Sequence, residues 1–262
     1  MGRRYGQHFL RSAAVLDQIA AAAEAAPGEA VLEIGPGEGA LTERLLASGA
    51  RLTAVEIDPD LCERLRSRFG GREAFRLMQG DILKTGLDPE TLFGTAERYA
   101  VVANLPYYLT TPLLLRMIAE RTRISRLVLM VQREIAERLV AAPADGKAYG
   151  SLSIVAQHAF AMRRLFTVSP GAFRPPPKVD SAVVSFWPKP LLLAPDLELA
   201  YLEHVKRLFM ARRKLMRSTL RREFAEASEA RLSEAQALIG DRRPESLTPE
   251  EHLAVYRVLA GR

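Results

Sequence analysis

The sequence predicts an α/β fold: a largely parallel sheet with helices on both faces, followed by a small all-helical C-terminal domain. Three observations carry this. The first two-thirds alternate short apolar runs rich in β-branched residues with helical stretches. The first of these runs ends in a glycine loop that opens a helix. After Trp187-Pro188-Lys189-Pro190 and Pro195, where proline cannot continue a central strand, every remaining pattern is helical. With 262 residues, 48% hydrophobic and 26% charged, the chain can bury a sizeable core, which excludes disorder and collagen-like structure. The expected organisation is one large domain, residues 1–190, with a smaller companion, residues 191–262.

In order along the chain, an Ala-rich helix is expected at 19–26 and strands at 31–34, 52–57, 75–78, 99–103 and 127–131. Helical patterns at 41–47, 61–69, 112–119 and 134–140 separate or follow them. Residues 181–187 alternate like a further strand, so the sheet gains antiparallel members after residue 150. The C-terminal helices are expected at 197–220, 223–226, 233–239 and 249–259.

Several function classes drop out. Cys62 is the only cysteine and the four histidines are scattered, which argues against a disulfide framework and a metal centre. No apolar run approaches the roughly 18 residues of a membrane span. Met1-Gly2-Arg3-Arg4-Tyr5 carries charge with no apolar stretch after it, so a cytoplasmic protein is expected, acting as a monomer. The net charge of +6 is a weak hint of a polyanionic partner, and its distribution says more. Lys206, Arg207, Arg212, Arg213, Lys214, Arg217, Arg221 and Arg222 form a stretch with no acid between them. Such a block suits phosphate neutralisation, and equally a solvated helix face whose acidic partners lie elsewhere in the fold.

The glycine loop reads Gly35-Pro36-Gly37-Glu38-Gly39 after Val31-Leu32-Glu33-Ile34. Its G-x-G-x-G spacing differs from dinucleotide and P-loop patterns, while its glycines allow close ligand approach. Glu56, 21 residues after Gly35, ends the next strand, where an acid accepts from a ribose diol. Together they suggest an adenosine cofactor without phosphates. Asp81, after the third strand, is either a turn former or an acceptor for an adenine amine, with Ile82 packing on the ring. The sharpest signal is Asn104-Leu105-Pro106-Tyr107. An exocyclic adenine amine is a poor nucleophile because its lone pair is delocalised. An Asn oxygen and a backbone carbonyl accepting from it favour a tetrahedral nitrogen aimed at an electrophile such as a sulfonium methyl. Pro106 keeps the backbone rigid and Tyr107 offers a stacking face.

These residues resemble a Class I S-adenosylmethionine-dependent methyltransferase with a Rossmann-like sheet, and more narrowly the ribosomal RNA adenine N6-dimethyltransferase (KsgA) family. The resemblance runs from Gly6-Gln7-His8-Phe9-Leu10 through the motifs above, Lys147-Ala148-Tyr149-Gly150 and the stretch Phe173-Arg174-Pro175-Pro176-Pro177-Lys178-Val179-Asp180. It ends in Ala211-Arg212-Arg213-Lys214 with Arg217 and Ser218. It implies that His8 and Leu10 lie over the cofactor, Gly35 and its loop contact the methionine end, Glu56 the ribose and Asp81 the adenine amine. Gln7, Glu33, Gly37, Gly39, Ile57, Ile82 and Asn104 complete the cofactor set. Asn104 and the Leu105 carbonyl would hold the target amine, with Tyr107 on one face of the base and Phe173, carried exposed on a rigid Pro-rich loop, on the other. That loop equally orients the next strand. Tyr108 departs from the small polar residue common in the family.

The implied activity is dimethylation at N6 of two adjacent adenosines in the 3′-terminal hairpin of 16S rRNA. The partner is that rRNA within the small ribosomal subunit or its precursor, and no metal is needed. The basic block, extended by Arg3, Arg4 and Arg11, would meet phosphate. The alternatives are a large-subunit enzyme of the macrolide-resistance type, which usually reads Asn-Ile-Pro-Tyr, an assembly factor that methylates on release, and a small-molecule methyltransferase.

Overall fold

The first apolar runs pair side by side as parallel strands buried on both faces, which is why they read as continuous hydrophobic stretches rather than alternating ones. The computed structural model describes residues 7–95, 97–224 and 227–261. Gly6, Arg3 and Arg4, together with the last two residues of the helix expected at 223–226, lie outside these residues.

By contact the chain divides into two units, Met1–Ala136 with Ala161–Pro188, and Glu137–Phe160 with Lys189–Arg262. Sequence reading expected one crossing near residue 190. The chain also passes into the second unit at 137 and back at 161, because residues 137–160 pack among the C-terminal helices: the Tyr149 hydroxyl donates to Leu247 O (2.7 Å) and Lys189 N to Ala159 O (2.8 Å).

The first unit is built in chain order from β1 (Phe9–Leu10), α1 (Ala13–Ala23), β2 (Ala30–Ile34), α2 (Ala40–Ala47), β3 (Arg51–Glu56), α3 (Pro59–Phe69) and β4 (Phe75–Gln79). Then follow α4 (Pro89–Phe93), β5 (Tyr99–Asn104), α5 (Thr110–Ala119), β6 (Ile124–Gln132) and the start of α6 (Arg133–Val140). After α7 (Ser151–Ala159) in the other unit come β7 (Phe160–Val168), β8 (Phe173–Arg174) and β9 (Ser181–Pro188). Seven strands form one sheet in the order β4-β3-β2-β5-β6-β9-β7; β2 to β6 pair in parallel and β9 runs antiparallel to β6. The order reverses between β2 and β5, the switch point at which such sheets open a ligand crevice. Leu16 and Ile19 of α1 and Leu45 of α2 bury against Val31, Leu52, Val102 and Val128. Each such aliphatic contributes about 1.5–3 kcal/mol on leaving water.

The second unit packs α7 with α8 (Pro195–Met210), α9 (Met216–Glu223), α10 (Glu229–Ile239) and α11 (Pro249–Ala260). Its core joins Leu208, Met216, Leu220, Ile239, Val255 and Leu259. The helix expected over 197–220 is two helices, because the chain turns at residues 211–215. The segment expected at 223–226 is not a separate helix: α9 closes at Glu223 and Phe224 turns into the core. No helix among the described residues is long and apolar enough to cross a membrane.

Candidate active site

A cleft opens at the C-terminal ends of β2 to β5, within the first unit. The two residues that continue β2 and β3 set its floor. Gly37 takes a left-handed φ of 59° and donates its N–H to Glu56 Oε2 (3.1 Å), while Ile57 N and Asp58 N donate to Oε1 (2.9 and 3.0 Å). Glu56 therefore ties the glycine loop to the turn after β3. Burial pushes its carboxyl up and the backbone donors oppose that. A carboxylate offers about four acceptor sites, so three N–H contacts leave room for a further donor.

Glu33 lies one residue from the end of β2 and is 2% exposed. It hydrogen-bonds to the Thr42 hydroxyl of α2 at 2.6 Å, and burial pushes its carboxyl up to about 8. It is a neutral acid at pH 7.

Gly39, the third glycine of the loop, does not line the cleft. Its φ of 81° starts α2, and a Cβ there would sit 2.5 Å from the Phe69 ring. Packing against α3, rather than ligand approach, requires this glycine. At Gly37, by contrast, a Cβ would meet the Phe9 ring at 3.2 Å on the cleft side.

The roof comes from β1, paired antiparallel with β8 in a separate two-stranded sheet that sets Leu10 opposite Phe173. Gln7 Nε2 donates to Asp58 Oδ2 (3.4 Å), and His8 Nδ1 donates to Pro175 O (2.8 Å), which fixes the tautomer. Phe173 lines the cleft but is 3% exposed and belongs to the core with Leu10. The exposed ring expected on the Pro-rich loop is thus a buried one, because β8 turns it inward and leaves Arg174 outside.

Asp81 forms the turn after β4: its Oδ1 accepts from Leu83 N (2.9 Å). It also lines the cleft, so the turn and ligand readings coexist. Arg116 on α5 donates to Ile82 O and Thr85 O and pins this loop from outside, a role with no signal in sequence.

Asn104 ends β5, and its carboxamide has no protein partner among the described residues. Nor does the Leu105 carbonyl accept a hydrogen bond there. Pro106 (φ −56°) leads into a 3-10 turn, Tyr107–Leu109. Tyr107 is held from two sides, its hydroxyl 3.1 Å from Ser181 Oγ and its ring stacked near His8 with centroids 6.1 Å apart. Tyr108 is 64% exposed on the rim.

Fourteen of the remaining sequence-derived residues (Gln7, His8, Leu10, Glu33, Gly35, Gly37, Glu56, Ile57, Asp81, Ile82, Leu105, Pro106, Tyr107 and Phe173) join Asn104 around this one cleft. Phe9, Leu16, Val55, Leu83 and Leu109 line it too and were not singled out as site residues, because an apolar side chain carries no chemical signal in sequence. Among the described lining residues there are four carboxylates, Glu33, Glu38, Glu56 and Asp81, and no Lys or Arg. Arg11 pairs with Glu38 at the edge. Such a lining suits a cationic ligand and disfavours a phosphorylated one.

The basic block lies in the second unit. Most of it is internally paired: Lys206 with Glu203 (3.4 Å), Arg212 with Glu245 (2.8 Å), Arg217 with Asp241 (3.1 Å), Arg221 with Glu229 (3.5 Å) and Arg222 with Glu223 (2.8 Å). Arg207 lies over the Phe224 ring, 5.1 Å from its centroid. Arg213 and Lys214, exposed in the turn between α8 and α9, have no partner among the described residues, and Met210 beside them is 83% exposed.

The family model described as "Ribosomal RNA adenine dimethylase" matches residues 1–260. A "Ribosomal RNA small subunit methyltransferase A" from Pseudomonas fluorescens is 44% identical over 246 residues, 94% of this chain and 88% of that protein. The protein of the same name from Thermosynechococcus vestitus is 44% identical over 98% of this chain and 96% of its own. Among solved structures, a dimethyladenosine transferase from Plasmodium falciparum superposes with a TM-score of 0.78 at 24% identity, covering 95% of this chain and 96% of that one. The 23S rRNA methyltransferase ErmE superposes with a TM-score of 0.73 at 26% identity, covering 96% and 99%. The sheet is thus the Rossmann-like sheet of Class I methyltransferases, and the chain belongs to the ribosomal RNA adenine dimethylase family.

Proposed function

We propose that this protein transfers methyl groups from S-adenosylmethionine to N6 of two adjacent adenosines in the 3′-terminal hairpin of 16S rRNA. It acts as a single chain in the cytoplasm, on the small ribosomal subunit or its precursor. The observation that carries this is the pair of unsatisfied acceptors, the Asn104 carboxamide and the Leu105 carbonyl, side by side in the cleft at the end of β5. Acceptors that no protein donor engages in a cleft are free to take one from a ligand, and an exocyclic amine supplies two N–H groups.

The cofactor fits the residues present. A lining of acidic side chains, with no Lys or Arg among the described residues, accepts a sulfonium and an ammonium and offers no cation to a phosphate. Glu56 would take the ribose hydroxyls with its spare acceptor capacity, Asp81 the adenine amine with the oxygen its own turn leaves free, and the loop at Gly35 and Gly37 the methionine end. When bound, the cofactor supplies a methyl group on a positively charged sulfur.

The chain's own work is positioning. Asn104 Oδ1 and Leu105 O accept from the target amine, draw its lone pair out of conjugation and aim it. Pro106 and the turn after it hold these two acceptors in register. Tyr107, braced by Ser181 and His8, stacks on the base, worth about 1–3 kcal/mol. The target must first leave its stack, at a cost of a few kcal/mol. The amine proton needs no strong base in the cleft, because the methylated nitrogen is acidic enough to pass it to solvent. After the first transfer one N–H remains, so one of the two acceptors takes it and re-aims the nitrogen while the pocket accommodates the new methyl group.

In the second unit, Arg213 and Lys214 are the cations free to meet phosphate, while the other six candidates are already engaged. The large-subunit reading loses ground because the small-subunit enzymes are 44% identical to this chain and the 23S enzyme 26%. The test is incubation of the protein with labelled cofactor and immature small subunits, with large subunits in parallel. Dimethyladenosine in the digested small-subunit RNA is expected, and its absence there would overturn the proposal.

A further inference from the structure

Four carboxyl groups, and no Lys or Arg among the described lining residues, make an acidic floor for a ligand that changes charge during the reaction. The methylated cofactor and its by-product carry the same ammonium and carboxylate; they differ at sulfur, a sulfonium in the first and a neutral thioether in the second. A side chain whose own charge follows that difference would separate the two. Glu33 has the required setting. It lines the cleft from β2, is 2% exposed, and holds one side-chain partner, the Thr42 hydroxyl on α2 at 2.6 Å. The ionisable groups lining the same cleft among the described residues are Glu56 from β3, His8 from the N-terminal segment, Glu38 from the loop before α2, Asp81 from the turn after β4, and the phenols of Tyr107 and Tyr108 after β5. Glu38 is neutralised by Arg11, and Glu56 is satisfied by three backbone N–H groups and opposes ionisation of Glu33. Among the described residues no charged group favours the Glu33 carboxylate, and its burial beside Thr42 favours the acid. The sulfonium, the one charge by which the two ligands differ, supplies the missing counter-charge.

We infer that Glu33 gives up its proton to solvent when S-adenosylmethionine binds and keeps it when the thioether by-product binds, making it a residue that discriminates the charged cofactor from the spent one. The proton balance is simple: Glu33–COOH becomes Glu33–COO⁻, the proton passes to buffer, and no bond to the ligand forms. Ejection of by-product after transfer is then aided by reprotonation of Glu33. The inference rests on the cofactor reading above and adds the means of telling substrate from product.

The experiment is titration calorimetry of the intact protein with S-adenosylmethionine and with S-adenosylhomocysteine at pH 6.5, in buffers of different ionisation enthalpy. Up to one proton should be released with the first ligand and clearly less with the second. Between pH 6 and 7 the affinity for S-adenosylmethionine should rise up to about tenfold, the limit for one linked proton, against a flatter response for the by-product. Glu33→Gln, which keeps a hydrogen bond with Thr42, should abolish both differences. Thr42→Val removes a donor that favours the ionised form and should move the release to higher pH, so the inference is tested even if Glu33→Gln folds poorly. Equal release with both ligands, or release that persists in Glu33→Gln, overturns it. If neither ligand binds, the functional reading fails and this inference with it; binding without the proton difference sinks this inference alone.

Discussion

The two units bury ionisable groups in opposite states. In the first, Glu33 is kept as a neutral acid, pushed up to about 8 by burial. In the second, His204 and His252 are kept as neutral bases, pushed down to about 3 and about 4 by burial. Both ring nitrogens of His204 are buried with no hydrogen-bond partner among the described residues, packed among Phe224, Tyr201 and Tyr256, whereas His158 has Glu198 at 2.9 Å. One desolvation penalty thus acts on pH in two directions. Between about 4.5 and about 8 the folded first unit holds a proton that the unfolded chain has lost, so its stability falls as pH rises. Below about 6.5 the unfolded second unit takes up protons that the folded one refuses, so its stability falls as pH drops. The surfaces diverge as well: the first unit lines its cleft with acids, and the second leaves cations free on a turn.

The sharpest way to separate the units is to remove the chemistry of one. Asn104→Ala should lower methyl transfer by about 10²–10³-fold, the effect of deleting one preorganised hydrogen-bonding group, while particle binding in a filter assay stays unchanged. Loss of both would mean that binding depends on the occupied cleft, and the division of labour would fail.

Acidification should pick out the second unit. From pH 6.5 downward each buried histidine can cost up to about 1.4 kcal/mol per pH unit. Hydrogen exchange followed by mass spectrometry should show α8 and α11 losing protection before β2 to β6. His204→Leu, which replaces an unpartnered ring by an apolar group, should flatten that dependence. Earlier loss in the sheet would break the comparison.

A third effect is mechanical and confined to the first unit. Gly39→Ala places a residue with a Cβ at φ 81° and 2.5 Å from Phe69, so it should destabilise by about 1–3 kcal/mol, seen as a lower urea midpoint. Gly37→Ala should instead weaken cofactor binding more than stability, since its added carbon faces the cleft.

That contrast marks where sequence reasoning reached its limit. The sheet was legible because parallel strands buried on both faces read as uninterrupted apolar runs, and the site because its chemistry sits at strand ends. Spacing alone could not divide the glycine loop into one residue that faces a ligand and one that faces Phe69, since both demand positive φ. Phe173 was expected outside because it precedes prolines, yet its neighbour in space is Leu10, 163 positions earlier in the chain. Arg116 and the excursion of residues 137–160 are tertiary facts, each depending on partners far along the chain, and Thr42 meets Glu33 across a strand-to-helix turn that spacing does not orient. The basic block was legible as a block, but its pairing with Glu245, Asp241 and Glu229 was not.

The smallest effect expected concerns that block, and it needs a salt series to be seen. If phosphate is met by cations that the fold leaves free, the double variant Arg213→Ala/Lys214→Ala should lower the slope of log Kd against log salt by about 0.7–0.9 per lost contact. Cofactor binding in the first unit should not move. Arg212→Ala and Arg217→Ala remove side chains already neutralised by Glu245 and Asp241, so each should change the slope by less than half as much. Exposed pairs of this kind are worth no more than about 1 kcal/mol, so RNA could compete for them. An equal loss of slope in all the variants would mean that the internal pairs open on binding, and the free turn would lose its special standing.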